Sequence, residues 1–171
     1  LSAAPQLKKI PVAQYDALLD KGTTPDAYRP TLWDFLVHNA LQFYQAPEQA
    51  GAKAADAFEI PAESPMFAGT DEFVKWTPKT TDKESRKLRA IKLYQELIRF
   101  HSGDANQDAL IDVDLWRLAY GKNNAFGEKK NANYKKALEG FIGKWADHQI
   151  SARARYSLAQ VLHGEGDFVV A

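Results

Sequence analysis

The sequence predicts an all-α fold: an array of antiparallel helix pairs interrupted by one long irregular crossover. Three observations carry this. From Lys83 onward, apolar residues recur at helical spacing in four successive segments. Residues 30–45 form a fifth segment, apolar on most of its sides. Ala137 and Ala171 stand 34 residues apart, a period expected of repeated helical hairpins. Such units bury their cores by stacking on the next unit. The chain therefore reads as a single helical-repeat domain over residues 1–171, part of something longer. Residues 11–82 supply N-terminal helices and the crossover, and residues 83–171 the hairpins. A first residue Leu1, with Met66 as the sole methionine, fits a trimmed or processed chain.

Each element has its own justification. Residues 1–10 are a weakly patterned lead-in. Pro11 to Lys21 reads as a short helix, because Val12, Tyr15, Leu18 and Leu19 share a stripe. Gly22 follows in the position that glycine favours after a helix, and Thr23-Thr24-Pro25 signals a loop. Pro30-Thr31 opens a helix to about Gln45, and Pro47 marks its end. Gln49 to Ala57 is alanine-rich and reads as a frayed helix. Pro61, Pro65, Gly69 and Pro78 then break the chain repeatedly. Phe58, Ile60, Met66, Phe67, Phe73, Val74 and Trp76 lie among these breakers. A disordered linker would not carry that aromatic content, so residues 46–82 read as an ordered crossover packed back onto the helices.

Lys83 to His101 is the next helix, striped by Leu88, Ile91, Tyr94, Leu97 and Ile98. Ser102-Gly103-Asp104 is a turn. Ala109 to Tyr120 follows, then a polar loop from Gly121 to Lys130. Ala132 to Ala146 places Tyr134, Ala137, Leu138, Phe141, Ile142 and Trp145 inward. Ser151 reads as the N-cap of a last full helix ending near Gly164, and Phe168 as the start of another. Ala90 and Tyr94 match Ala137 and Phe141, but 47 residues away, so an insertion is expected near the 121–130 loop.

Composition narrows the function. The chain has 22 basic and 22 acidic residues, so no global field favours nucleic acid or acidic lipid. The stretch from Lys75 to Arg99 holds eight basic and three acidic residues. It reads as a solvated helix face, with a basic patch for an anionic partner as the sharper alternative. The absence of cysteine removes disulfides, thiol chemistry and cysteine-ligated metals. No apolar run approaches the roughly 18 residues of a membrane span, so no membrane insertion is expected. Nucleophile elbows, phosphate loops and dinucleotide fingerprints are missing, which argues for a non-catalytic protein without cofactor.

The candidate chemistry is thin. Asp104-Ala105-Asn106-Gln107-Asp108 opens like a calcium loop, but Ala109 and Leu115 occupy the glycine and twelfth-residue positions. A capped turn with acids at a helix N-terminus is the expectation. His38, His101, His148 and His163 show no metal-ligand spacing. His101 and His148 sit near helix C-termini, and His38 reads as a satisfied core or boundary residue. Asp112 and Asp114, two apart, fall on different helix faces. Trp33 and Trp145 belong to apolar stripes, whereas Trp76 is balanced between exposure and burial. A ligand pocket at the 58–78 crossover remains a weaker possibility, to be recognised by converging polar groups.

The C-terminal pattern resembles tetratricopeptide repeats. Tyr134, Ala137, Leu138 and Phe141 are followed by Ala154, Leu158, Ala159, Leu162 and Gly166-Asp167-Phe168. By that resemblance, Arg153, Tyr156, Gln160 and His163 line a concave groove for a partner peptide; alternatively, the same face packs on a neighbouring domain. Two further stretches, Arg29-Pro-Thr-Leu-Trp-Asp-Phe-Leu36 with Ala40-Leu-Gln-Phe-Tyr44, and Ala109-Leu-Ile-Asp-Val-Asp-Leu-Trp-Arg-Leu118, resemble the N-terminal helical region of bacterial (Bacteroidetes-type) alpha-2-macroglobulin-like proteins. That resemblance implies a cell-envelope protein (periplasmic or outer-membrane associated) that traps proteases. It also implies that this chain is a protein-interaction or scaffolding module. The bait region and thioester would lie elsewhere, since the chain holds no cysteine. The alternative is a free-standing peptide-binding adaptor.

Overall fold

The computed structural model describes residues 3–45 and 56–166. Among these residues it is mostly helical, as expected. Its helices are α1 (Ala4–Leu7), α2 (Leu32–Gln45), α3 (Thr70–Lys75), α4 (Arg86–His101), α5 (Asp108–Asn124), α6 (Lys130–Lys144) and α7 (Ser151–Gly164). The only strands among the described residues are β1 (Ile60–Pro61) and β2 (Ala125–Phe126), which pair in parallel. The expected frayed helix at 49–57 lies almost wholly outside the described residues, and that at Phe168 lies entirely outside them.

Helices α4 to α7 pack in sequence, α4 on α5, α5 on α6 and α6 on α7. Short connections between packed neighbours make each pair antiparallel. Helices α2 and α3 both pack on α4. Ser85 caps α4 by accepting from the Leu88 N–H at 3.3 Å, so the helix starts at Arg86 rather than Lys83. At α2, the Asp34 carboxylate accepts from the Thr31 N–H (2.9 Å) and hydroxyl (2.7 Å). The Thr31 hydroxyl accepts the Asp34 N–H in return, at 3.3 Å. This is a capping box with aspartate as its acid.

Four expectations are corrected. Residues 11–21 form only a 3₁₀ turn at Val12–Tyr15, with Val12 buried and Leu18 79% exposed. The apolar stripe has no partner surface beyond its first residue, and a segment that short cannot hold a helix alone. Helix α2 is buried on one face, not between neighbours, since Leu36 and Phe43 are exposed. Helix α5 continues through Asn124, four residues into the expected polar loop. Gly121 is buried there against Met66 and Phe67. Ser151 is not a cap: it is the first residue of α7, buried, and its hydroxyl donates to the Ala146 carbonyl at 3.2 Å.

The crossover does pack back. Phe58, Ile60, Ala62, Met66, Phe67 and Phe73 are all buried, while Trp76 is half-buried against Phe73. Polar contacts pin it. Gln95 of α4 donates to the Phe73 and Trp76 carbonyls at 2.8 and 2.7 Å, satisfying the end of α3. Arg117 of α5 donates to the Met66 carbonyl at 2.7 Å and to one Asp114 oxygen at 2.9 and 2.6 Å. Its guanidinium also lies 4.7 Å from the Phe73 ring centre. Such charge-assisted bonds, fully buried, fix one register of crossover against helix.

Candidate functional site

Helix α5 is the centre of the molecule, and it is buried nearly all round. Its acids point to opposite sides, as their spacing requires. Asp114 faces Arg117 and the crossover. Asp112, 1% exposed, faces α2 and α7. One Asp112 oxygen accepts from Arg153 at 2.9 Å. The other is buried without a partner, 3.9 Å from the equally unpartnered His38 Nε2. His38 Nδ1 donates to the Asp34 carbonyl at 2.8 Å, since a carbonyl can only accept. Burial, aided by the nearby Arg29 charge, lowers the His38 pKa to about 4. Burial likewise raises that of Asp112, against the opposing pull of Arg153. His38 is thus a core histidine satisfied at only one nitrogen.

His101 has the opposite character. Its Nε2 meets Asp34 at 2.8 Å and its Nδ1 meets Asp104 at 2.7 Å. Burial opposes the charge, but the two carboxylates outweigh it and raise the pKa. Carboxylates at both nitrogens favour the imidazolium form, and the ring joins the start of α2 to the end of α4. The calcium-like loop is a capped turn. Asn106 Oδ1 accepts the Asp108 N–H at 2.8 Å, and Asp108 binds His148 at 2.8 Å. The described residues contain no cluster of three or more acids and histidines fit for a metal.

The predicted groove residues divide. On α7, Arg153, Ser157, Gln160 and Gly164 follow one helical stripe. With Trp116, Ala119, Tyr120 and Asn123 of α5 they edge two adjoining depressions of about 220 and 420 Å³. Ala119, Asn123 and Ser157 line both, so the two are continuous. Arg153 sits at one end. Gln160 sits toward the other, with Lys122, Asn131 and Glu165. Lys122 donates to Asn131 at 2.5 Å, and burial, then the Lys130 charge, lowers its pKa. Tyr156, 65% exposed, and His163 line neither depression, although the Tyr156 hydroxyl accepts from Gln160 at 3.2 Å. Sequence reasoning missed Ser157 and the α5 wall. Counting four residues on from Arg153 would have found Ser157; nothing local marks Ala119 or Asn123.

A second cleft, of about 640 Å³, opens between crossover residues 63–72 and helices α5 and α6. Ala137, expected inward, is half-buried on its wall. Trp145, expected in an apolar stripe, follows the end of α6 and also lines the cleft. The basic stretch 75–99 is largely engaged locally. Lys87 pairs with Glu59, Arg89 with Glu84, and Arg99 donates to the Val74 carbonyl at 2.6 Å. No helix among the described residues is long and apolar enough to cross a membrane.

No protein-family model, curated protein or solved structure matches the chain.

Proposed function

We propose that this chain is a non-catalytic protein-interaction module, a helical-repeat scaffold of a larger cell-envelope protein of the alpha-2-macroglobulin type. The observation that carries the interaction reading is the continuous groove of mixed polar and apolar lining between α5 and α7. It is open, it is edged by Arg153, Ser157 and Gln160, and its floor includes the small side chain of Ala119. Small residues between helices leave room for a bound backbone, and amide side chains such as Asn123, Asn131 and Gln160 both donate to and accept from one. The sequential packing of α4 to α7 supports reading them as two tetratricopeptide-like hairpins. The buried titratable groups of α5 bond to other helices and the crossover, a use that serves assembly rather than turnover. The envelope and protease-trap setting rests on the motif resemblances alone.

The test places a photo-crosslinking amino acid at Gln160 in the native-length protein within its own cells. The scaffold reading expects crosslinks to another region of the same polypeptide. The adaptor reading, a free-standing peptide-binding repeat, expects them to a separate protein. Absence of any crosslink, with a position on the outer face of α4 equally silent, would remove both.

A further inference from the structure

We propose that the crossover cleft binds a short protein segment in which a lysine or arginine lies beside a carboxylate. The inference rests on the interaction reading above but uses a different face of the molecule. The cleft's volume, about 640 Å³, lies within the roughly 300–1,000 Å³ of specific ligand pockets. Its two walls carry opposite charge. On the crossover side stand Glu63, Asp71 and Glu72; on the α6 side stand Lys136 and Lys144. None of these five has an ion-pair partner among the described residues. Lys144 instead lies over the Trp145 ring, 4.7 Å from its centre.

Between the walls lies Asp114, 8% exposed. Both Arg117 bonds fall on its Oδ1. Its Oδ2 accepts nothing from the described residues, although a carboxylate oxygen can take two hydrogen bonds. Ser64, on the same rim, has a buried hydroxyl without a partner. A cation reaching inward would meet Asp114 flanked by the acidic wall, while an adjacent carboxylate would meet the two lysines. An occupant of a single sign would be repelled by one wall. Phe141 and Trp145, one turn apart, provide an apolar shelf for the methylene stem of such a side chain. Gly140 keeps the α6 wall open, because a Cβ there would touch nothing within 4 Å.

The probe is a fluorescein-labelled eight-residue peptide of alternating lysine and glutamate, titrated against the whole chain by anisotropy. All-lysine and all-glutamate peptides and free lysine serve as competitors. Saturable binding of the mixed peptide is expected, with each competitor at least tenfold weaker. Asp114→Asn should weaken binding tenfold or more. Gly140→Leu, which grows into open space, should abolish it without lowering the melting temperature, so loss of fold is not the cause. The proposal is overturned if the mixed peptide does not saturate at millimolar concentration, or if binding survives Gly140→Leu. It is also overturned if all-lysine or free lysine competes equally. A silent cleft in a protein that still crosslinks through Gln160 would remove this proposal alone; peptide binding without crosslinks would remove the groove alone.

Discussion

Replacing Gly121 with alanine should destabilise the protein, while the same change at Gly140 should stabilise it. Both glycines lie inside helices, where alanine is favoured by about 1 kcal/mol. At Gly140 that gain is unopposed, since an added Cβ meets open space. At Gly121 the Cβ would sit 2.9 Å from Met66 Cγ and 2.9 Å from Phe67 Cε1. Carbon atoms prefer about 3.5–4.0 Å. Relieving both contacts means moving a crossover segment held by the Arg117–Met66 bond. Overpacking of this kind costs about 1–3 kcal/mol, which outweighs the helical gain and leaves a net loss of about 1 kcal/mol. The two variants should therefore differ by about 2 kcal/mol. For a chain of this length that is a Tm difference of about 4–8 °C. Urea unfolding followed by circular dichroism, with equal slopes for both variants, measures it. If Gly121→Ala stabilises as much as Gly140→Ala, the crossover is not seated on α5 and the cleft built from it does not stand.

Three other outcomes follow from the buried charges. Arg117→Met should cost about 3–5 kcal/mol, because it leaves Asp114 buried and the Met66 carbonyl unpaired; denaturant titration reads this, and a loss below 1 kcal/mol contradicts it. Arg153→Ala should destabilise by leaving Asp112 without its counter-charge, and Asp112→Asn should recover part of the loss, so a double-mutant cycle must give non-additive values. The histidines should give stability opposite slopes with pH. The raised pKa of His101 means its contribution is full below about 6.5 and fades as pH climbs through the folded value. The lowered pKa of His38 means stability is lost as pH falls from 6.5 toward about 4, on the order of 3 kcal/mol in full. His101→Gln should flatten the alkaline limb of a stability–pH curve and His38→Gln the acid limb; the reverse assignment would refute both.

Much of the helical frame was legible because it rests on local periodicity. The stripes through Leu88–Ile98 and Tyr134–Phe141 become buried faces of α4 and α6. The crossover's packing was legible from its aromatic content. Helix α5 was harder, since charged side chains are rarely buried, yet Asp112, Asp114 and Arg117 lie 1%, 8% and 1% exposed. Their burial depends on Arg153 and the Met66 carbonyl, 41 and 51 residues away, which no local window contains. The two-residue pairing of β1 with β2 is equally non-local. Of the four residues that the repeat resemblance placed on a groove, Arg153 and Gln160 edge the depressions beside α7, and Tyr156 and His163 do not. The cleft, by contrast, depends on where the crossover lands, which only the fold determines.

The size and location of the native polypeptide that carries this sequence decide between a module of a larger envelope protein and a free-standing adaptor. An antibody against the purified chain, used on fractionated cells, reads both. A module of a larger envelope protein would appear as a single species far above 19.1 kDa in the envelope fraction. A native species near that mass, recovered outside the envelope, would contradict it and leave the free-standing adaptor in its place.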